Sequence, residues 1–195
     1  NPILESFGNA RTVRNDNSSR FGKYIEMKFL SSLPSSSSSS GINLPVASLV
    51  GASIETYLLE KVRLVHQSSG ERNYHIFYEL FSMKYAEEDD DYGIVKGTDN
   101  EGGVVSFNDL GLLDYDMEDF RMLNNSGAYD RRDGVPDQQT FWNTKHAMTA
   151  MGFTPCDLSN VLQVIASLLH AANLTFVQKD VSTGRIVGDE CALDE

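Results

Sequence analysis

Asn15-Asp16-Asn17-Ser18-Ser19-Arg20-Phe21-Gly22-Lys23 divides this chain into two kinds of pattern, helical before it and alternating after it. Asn and Ser side chains hydrogen-bond readily to nearby backbone, so no helix is expected to run through Asn15 to Arg20. The two amides, the two hydroxyls and the flanking Arg14, Arg20 and Lys23 form a set able to hold phosphate oxygens. Serine hydroxyls are hard oxygen ligands of the kind Mg²⁺ shares with phosphates. Arg20 can pair bidentately with a carboxylate or a phosphate. Gly22 is expected to let the backbone turn sharply out of the loop into a strand. The same residue types also serve a plain surface turn between a helix and a strand, because Asn and Ser dominate such turns.

Working outward, Asn1 to Val13 reads as a helix entering that loop, with Pro2 in its first turn and Ile3, Leu4 and Phe7 on one face. On the other side Ile25, Met27 and Phe29 alternate with Tyr24, Glu26 and Lys28, which predicts a strand. Ser31 to Ser40 is nearly all serine, broken by Leu33 and Pro34, and reads as a flexible insertion. Gly51 to Leu59 alternates again, so the two runs are expected to form an antiparallel hairpin with the serine tract in its loop. Beyond it the spacing turns helical. Tyr74, Phe77, Tyr78 and Phe81 mark a helix inside Glu71–Met83, and their stripe is expected to be core packing. Short helices are predicted over Ser106–Leu113 and Met117–Asn124, and a longer one over Phe141–Met151, closed by Gly152. Thr154 as cap and Pro155 at the first position begin another, with Leu158, Val161, Leu162, Ile165, Leu168 and Leu169 as its apolar stripe. Leu174, Phe176 and Val177 suggest a short strand. Glu87–Asp91 and Glu101-Gly102-Gly103 read as loops, and the acidic tail Asp189–Glu195 reads as a cut.

The 195 residues are 41% hydrophobic, enough for a core, and carry 16 basic against 28 acidic side chains for a net charge of −12. Such a field repels phosphate backbones and anionic lipid, so neither nucleic acid nor membrane is an expected partner. No apolar run approaches the roughly 18 residues of a membrane span. Cys156 and Cys191, with His66, His75, His146 and His170 scattered, offer neither a disulfide framework nor metal-ligand spacing, so packing or surface roles are expected for the histidines. Cys156 stands in a predicted first helical turn, where a thiol pKa can fall. Asp114, Asp116, Glu118 and Asp119 read as a solvated turn.

The nine residues from Asn15 to Lys23 match the pattern N-x-N-S-S-R-F-G-K and resemble the switch I loop of the myosin motor domain. Three flanking stretches resemble that family in the same order: Asn1–Thr12 the helix before switch I, Gly51–Lys61 the strand and turn after it, and Glu71–Tyr78 the start of the next helix. The remainder follows its upper 50-kDa subdomain more loosely. The resemblance implies an α+β, mostly helical fragment of a P-loop NTPase motor domain, with an antiparallel strand pair after switch I plus a helical lobe. Its parts would be residues 1–23 (helix and switch I), 24–59 (strand pair with the 31–40 insertion) and 60–195 (helical region).

For the intact parent the resemblance implies a cytoplasmic, cytoskeletal motor that binds and hydrolyses MgATP and moves on actin filaments, with light chains as further partners. A non-catalytic, myosin-derived interaction module is the alternative. By the same resemblance Ser19 would ligand Mg²⁺, Ser18 would sit against the γ-phosphate and attacking water, and Asn15 and Asn17 would donate to phosphate oxygens. Arg20 would pair with a switch II glutamate. The chain contains no G-x-x-x-x-G-K-[ST] phosphate loop, and switch II would follow its last residue. The chain by itself is therefore expected to be inactive, and actin-stimulated ATP turnover by it in a steady-state assay would refute this.

Overall fold

The computed structural model describes residues 1–32, 46–84 and 106–176. They fall into two units, Phe21–Leu59 on one hand and Asn1–Arg20 with Glu60 onward on the other. The serine tract beyond Ser32, the loops at Glu87–Asp91 and 101–103, and the acidic tail lie outside the described residues.

The first unit is the expected hairpin. Strands β3 (Gly22–Ser32) and β4 (Val46–Tyr57) pair antiparallel, with Gly22 opposite Tyr57 and Ile25 opposite Ile54. The register shifts after Lys28, so that Phe29 faces Leu49. β4 begins before the expected Gly51 and ends before the expected Leu59, because Leu58 stands at φ 56°. That left-handed conformation is costly for a γ-branched side chain and ends the ladder. Gly22 also differs from expectation. Its φ is not positive; instead a Cβ there would lie 2.5 Å from the Tyr57 ring. Glycine is needed for close approach, not for a turn.

The second unit opens with helix α1 (Pro2–Gly8), whose first turn is capped by the Asn1 side chain accepting from the Leu4 N–H. The backbone then leaves the helix earlier than Val13, in the two-residue strand β1 (Asn9–Ala10), which pairs antiparallel with β2 (Ser18–Ser19). The core is built on helix α2 (His75–Ser82), in which every residue from His75 to Phe81 is buried. The Tyr74, Phe77, Tyr78 and Phe81 stripe packs as expected, while His75 and Glu79 are buried polar residues of the same helix. Arg72, just before it, is fully buried and neutralised by a two-point pair with Asp137 at 2.9 and 3.0 Å, while its guanidinium stacks 3.8 Å over Tyr78.

Helix α4 (Asp137–Ala150) and α1 pack against α2, and α3 (Arg121–Asn124) packs against α5 (Pro155–Ala172), all of α2 to α5 contributing to one core. Thr154 and Asp157 form a reciprocal capping box on α5, as Thr154-Pro155 suggests. Gly152, at φ 93°, follows α4 as expected, but α4 starts four residues before Phe141, because its polar first turn Asp137-Gln138-Gln139-Thr140 carries no apolar signal. Two short helices fare less well. Ser106–Leu113 forms turns rather than a helix, held by Ser106 and Asp109 and reversed at Gly111 (φ 66°). Met117–Asn124 is split at Phe120, whose extended backbone separates a 3₁₀ turn, Met117–Asp119, from α3. Asp116 and Asp119 cap that turn. Phe176 occupies one isolated bridge position, and Val177 lies outside the described residues. No helix among the described residues is long and apolar enough to cross a membrane.

Leu162, Ile165 and Leu169 of the α5 stripe are buried, whereas Leu168 is 43% exposed. Leu169→Ala should therefore cost about 2–5 kcal/mol in urea unfolding, and Leu168→Ala less than about 1 kcal/mol. Equal costs would contradict this packing.

Candidate functional site

The polar stretch Arg11–Asn17 closes the β1–β2 hairpin, and its side chains make the turn. Thr12 N–H donates to the Asn15 carbonyl at 2.8 Å, Asn15 N–H to the Thr12 hydroxyl at 3.1 Å, and Asn17 N–H to Asn15 Oδ1 at 2.9 Å. Such local bonds replace the ladder a longer hairpin would have. Arg20 N–H donates to the Gly8 carbonyl, and Glu60 N–H to the Arg20 carbonyl, fixing the exit of the loop.

Behind that exit stands a chain of charges. Arg20 Nε lies 2.5 Å from Glu60 Oε2, and Arg63 Nε donates to the same oxygen at 2.8 Å. Arg63 also reaches Glu71 at 3.0 Å and the Arg72 carbonyl at 3.0 Å. Burial works to raise the Glu60 carboxyl, but hydrogen bonds from Arg20 and Arg63 outweigh it and hold the group below its ordinary range. Arg20 Nη1 further donates to Ser18 Oγ at 3.3 Å. The tip of the loop is gripped from a segment far along the chain: Arg132 Nε pairs with Asp16 at 3.0 Å, and its Nη groups donate to the Thr12 and Val13 carbonyls. The Arg132 hydrogen bond keeps Asp16 ionised below the usual carboxylate range.

The inner side of the loop is different in character. Asn17 Oδ1 accepts from Asn9 Nδ2 at 2.9 Å and lies 3.1 Å from His75 Nε2, while Asn17 Nδ2 donates to Glu5 at 3.2 Å. Nearby, Ser6 Oγ donates to Glu79 Oε2 at 2.5 Å. A cavity of about 170 Å³ is lined there by Glu5, Ser6, Asn17, His75, Glu79 and Arg131 among others. Burial, with Arg72 and Arg131 adding to it, pushes His75 down to about 3. Burial pushes Glu79 up to about 7 against the hydroxyls that favour its anion.

The expected site residues thus gather in one loop. Asn15 and Ser19 are exposed, Ser18 and Arg20 half-buried. Both ends of the Asn17 amide are engaged in this structure, Oδ1 by Asn9 and His75 and Nδ2 by Glu5. Arg20, expected to pair with a glutamate from another loop, pairs here with Glu60. His75, read as a packing or surface group, bonds the loop directly. Glu60 and Arg132 carry no local signal for their parts in the loop, because they reach it across 40 and 116 positions. Cys156 is exposed at the start of α5 and has no part in this site. Among the described residues no group of three His, Cys, Asp or Glu side chains could hold a metal. Any cation at this loop would be held by serine oxygens together with its own ligand's oxygens.

The family model described as "Myosin head (motor domain)" matches residues 1–194. The chain is 36% identical over 186 residues to Myosin IB heavy chain of Dictyostelium discoideum, covering 95% of this chain and 14% of that protein. It is 38% identical over 193 residues to Myosin-1 of Saccharomyces cerevisiae, covering 99% and 8% respectively. Unconventional myosin-Ih of Homo sapiens is 36% identical over 181 residues, covering 92% and 14%. The chain therefore spans only a small part of the length of these relatives.

The loop-tip and inner contacts are separately testable. Arg132→Ala removes an exposed clamp, so hydrogen exchange at residues 12–17 should quicken while global stability changes by less than about 1 kcal/mol. Unchanged exchange there would dismiss the clamp. Glu79, raised to about 7 from 4.5, lends stability that is complete below about 4.5 and lost as the pH rises through about 7. Glu79→Gln cannot ionise, so relative to wild type it should gain about 3 kcal/mol of stability between pH 4.5 and pH 8. Parallel stability curves for the two proteins would refute this.

Proposed function

The chain belongs to the myosin head (motor domain) family, and from that premise we propose that Asn15–Arg20 is the phosphate- and magnesium-sensing loop of an ATP-hydrolysing, actin-based motor. The observation that carries this reading is the disposition of the loop. Asn15 and Ser19 are exposed and Ser18 is half-buried beside Arg20, while Asp16, Asn17 and Arg20 are tied to other parts of the protein. A polar loop held by its side chains suits phosphoryl transfer, in which the protein contributes mainly positioning and charge stabilisation.

The donor set fits a Mg²⁺–phosphate group: hard hydroxyl oxygens, amide donors and no soft or imidazole ligand at the surface. Bound Mg²⁺ supplies neutralisation of the charge on the phosphates. Ser19 would hold the metal through its hydroxyl. Ser18 would orient the attacking water and relay its proton, with Arg20 Nη1, already 3.3 Å from Ser18 Oγ, biasing that hydroxyl to present its lone pairs and proton in a fixed direction. Asn15 would donate to phosphate oxygens. Asn17 serves differently from Asn15: its engaged amide shapes the loop from within. The parent would be a P-loop NTPase with the phosphate loop, switch II, actin-binding surfaces and light-chain sites supplied by other parts of the protein. This chain would contribute switch I and part of the helical lobe, as residues 1–23, 24–59 and 60–195. A cytoplasmic, actin-associated location follows from that activity.

Arg20→Ala in the full motor tests the proposal. Nucleotide should still bind, but the phosphate burst should slow by about 100-fold or more, the usual cost of losing one aligned charge-stabilising donor. A burst at the wild-type rate would overturn the assignment of Arg20. Failure of the wild-type motor to bind MgATP would overturn the nucleotide reading as a whole.

A further inference from the structure

Asn17 Oδ1 is shared by two donors on different elements, Asn9 Nδ2 from β1 and His75 Nε2 from α2, 58 positions away. Which atom of Asn17 faces His75 is fixed by the opposite end of the amide. Glu5 Oε2 lies 3.2 Å from Asn17 Nδ2, and an ionised carboxylate can only accept. The atom facing the imidazole is therefore the carbonyl oxygen, which also can only accept, so the proton of the imidazole sits on Nε2. Its other nitrogen, Nδ1, is buried and without a hydrogen-bond partner among the described residues. His75 itself is 1% exposed. Its position is set by neighbours that are themselves anchored: Asn73 N–H donates to the Tyr78 hydroxyl, Asn73 Nδ2 to the Met122 carbonyl, and Tyr74 bridges backbone with Ala10.

We infer that His75 is a positioning residue for the polar loop: through its Nε2–H bond to Asn17 it fixes the segment that presents Ser18 and Ser19. The bond needs only that Nε2 keep its proton, which it does both in this neutral tautomer and in the cation. Burial beside the Arg72 and Arg131 cations, against which Asp16 and Asp133 act more weakly, leaves the ring uncharged throughout the physiological range. The linkage is thus a constant one rather than a switch. Asn17 N–H closes onto Asn15 Oδ1, so holding the Asn17 side chain holds the turn on one side, and β2 follows at once on the other. A loop only partly in its competent arrangement weakens apparent ligand affinity by that fraction, without altering the chemistry of the bound state. The kinetic consequence rests on reading the loop as nucleotide-sensing; the structural consequence does not.

The test uses the full motor with His75→Phe and His75→Gln. Phenylalanine fills the ring volume but cannot donate, whereas glutamine places an N–H near the position of Nε2. Hydrogen exchange at residues 15–19 without nucleotide should quicken about tenfold in His75→Phe, the equivalent of one net hydrogen bond, and stay near wild type in His75→Gln. KM for MgATP should rise about tenfold in His75→Phe with kcat within about twofold, and His75→Gln should restore it. If His75→Phe fails to fold, Asn17→Ala removes the same bond together with those to Asn9 and Glu5, and should quicken the same amides more than Asn9→Ala, which spares the His75 bond. Unchanged protection in His75→Phe, Asn17→Ala quickening exchange no more than Asn9→Ala, or a His75→Gln protein as impaired as His75→Phe, would overturn the inference. Exchange behaving as expected in a motor that does not bind MgATP would leave His75 as a positioning residue and remove the nucleotide reading alone.

Discussion

A guanidinium taken out of water must find acceptors for its N–H groups, and Arg63, 4% exposed on its side chain, sets that condition for the whole second unit. All three of its nitrogens are engaged, with Glu60, Glu71 and the Arg72 carbonyl. Burial opposes its charge, yet the two carboxylates hold its pKa above the usual arginine value. Once Glu60 is drawn in to satisfy Arg63, its second role follows, because the same oxygen receives Arg20. Once Glu71 is drawn in, its other oxygen accepts the Val13 N–H, and its carbonyl accepts the Ser126 hydroxyl. The exit and the outer flank of the polar loop are thereby fixed by a cation that touches neither Ser18 nor Ser19. A buried pair of this kind is weak as a source of net stability but costly to break, roughly 3–5 kcal/mol when one partner is removed.

The grip on the loop is uneven. Its tip is held at the surface by Arg132 and Asp16, in contact with water and weakened by salt. Its inner side is held by Asn9 and His75, in partly buried bonds that count for more because water competes less, and by Glu5 at the surface. Between them Ser18 and Ser19 form a strand only two residues long. Elements with so few backbone bonds open at low free energy. The surrounding side chains, rather than the β-ladder, supply the order at the position where chemistry is proposed.

What could be read beforehand divides along the range of the interaction. The hairpin, the α5 cap at Thr154-Pro155 and the aromatic stripe of α2 depend on period and on neighbours within a few residues, and they are where the spacing places them. Ser106–Leu113 has enough apolar residues for a helix, but the Ser106–Asp109 turn and Gly111 win locally. The polar loop was visible as a chemical set. Its supports were not: His75, Glu60 and Arg132 act across 40 to 116 positions, and nothing in the local pattern of a lone histidine or a paired arginine announces a distant partner. Asn17 shows the same range effect, since its contacts to Glu5, Asn9 and His75 lie 12, 8 and 58 positions away and have no mark in the local pattern.

The Tyr57 ring approaches Gly22 across the end of the hairpin where the two strands meet the rest of the chain. A methyl group at 22 would meet only the far end of the Tyr57 side chain, so the ring would have to turn aside; the register places the two residues directly opposite each other. Tyr57 is half exposed, so a side chain at 22 would swing the ring into water before it disturbed the ladder. The bare glycine is thus a seat for that ring, and its loss would be read first in the Tyr57 side chain and only afterwards in the strands.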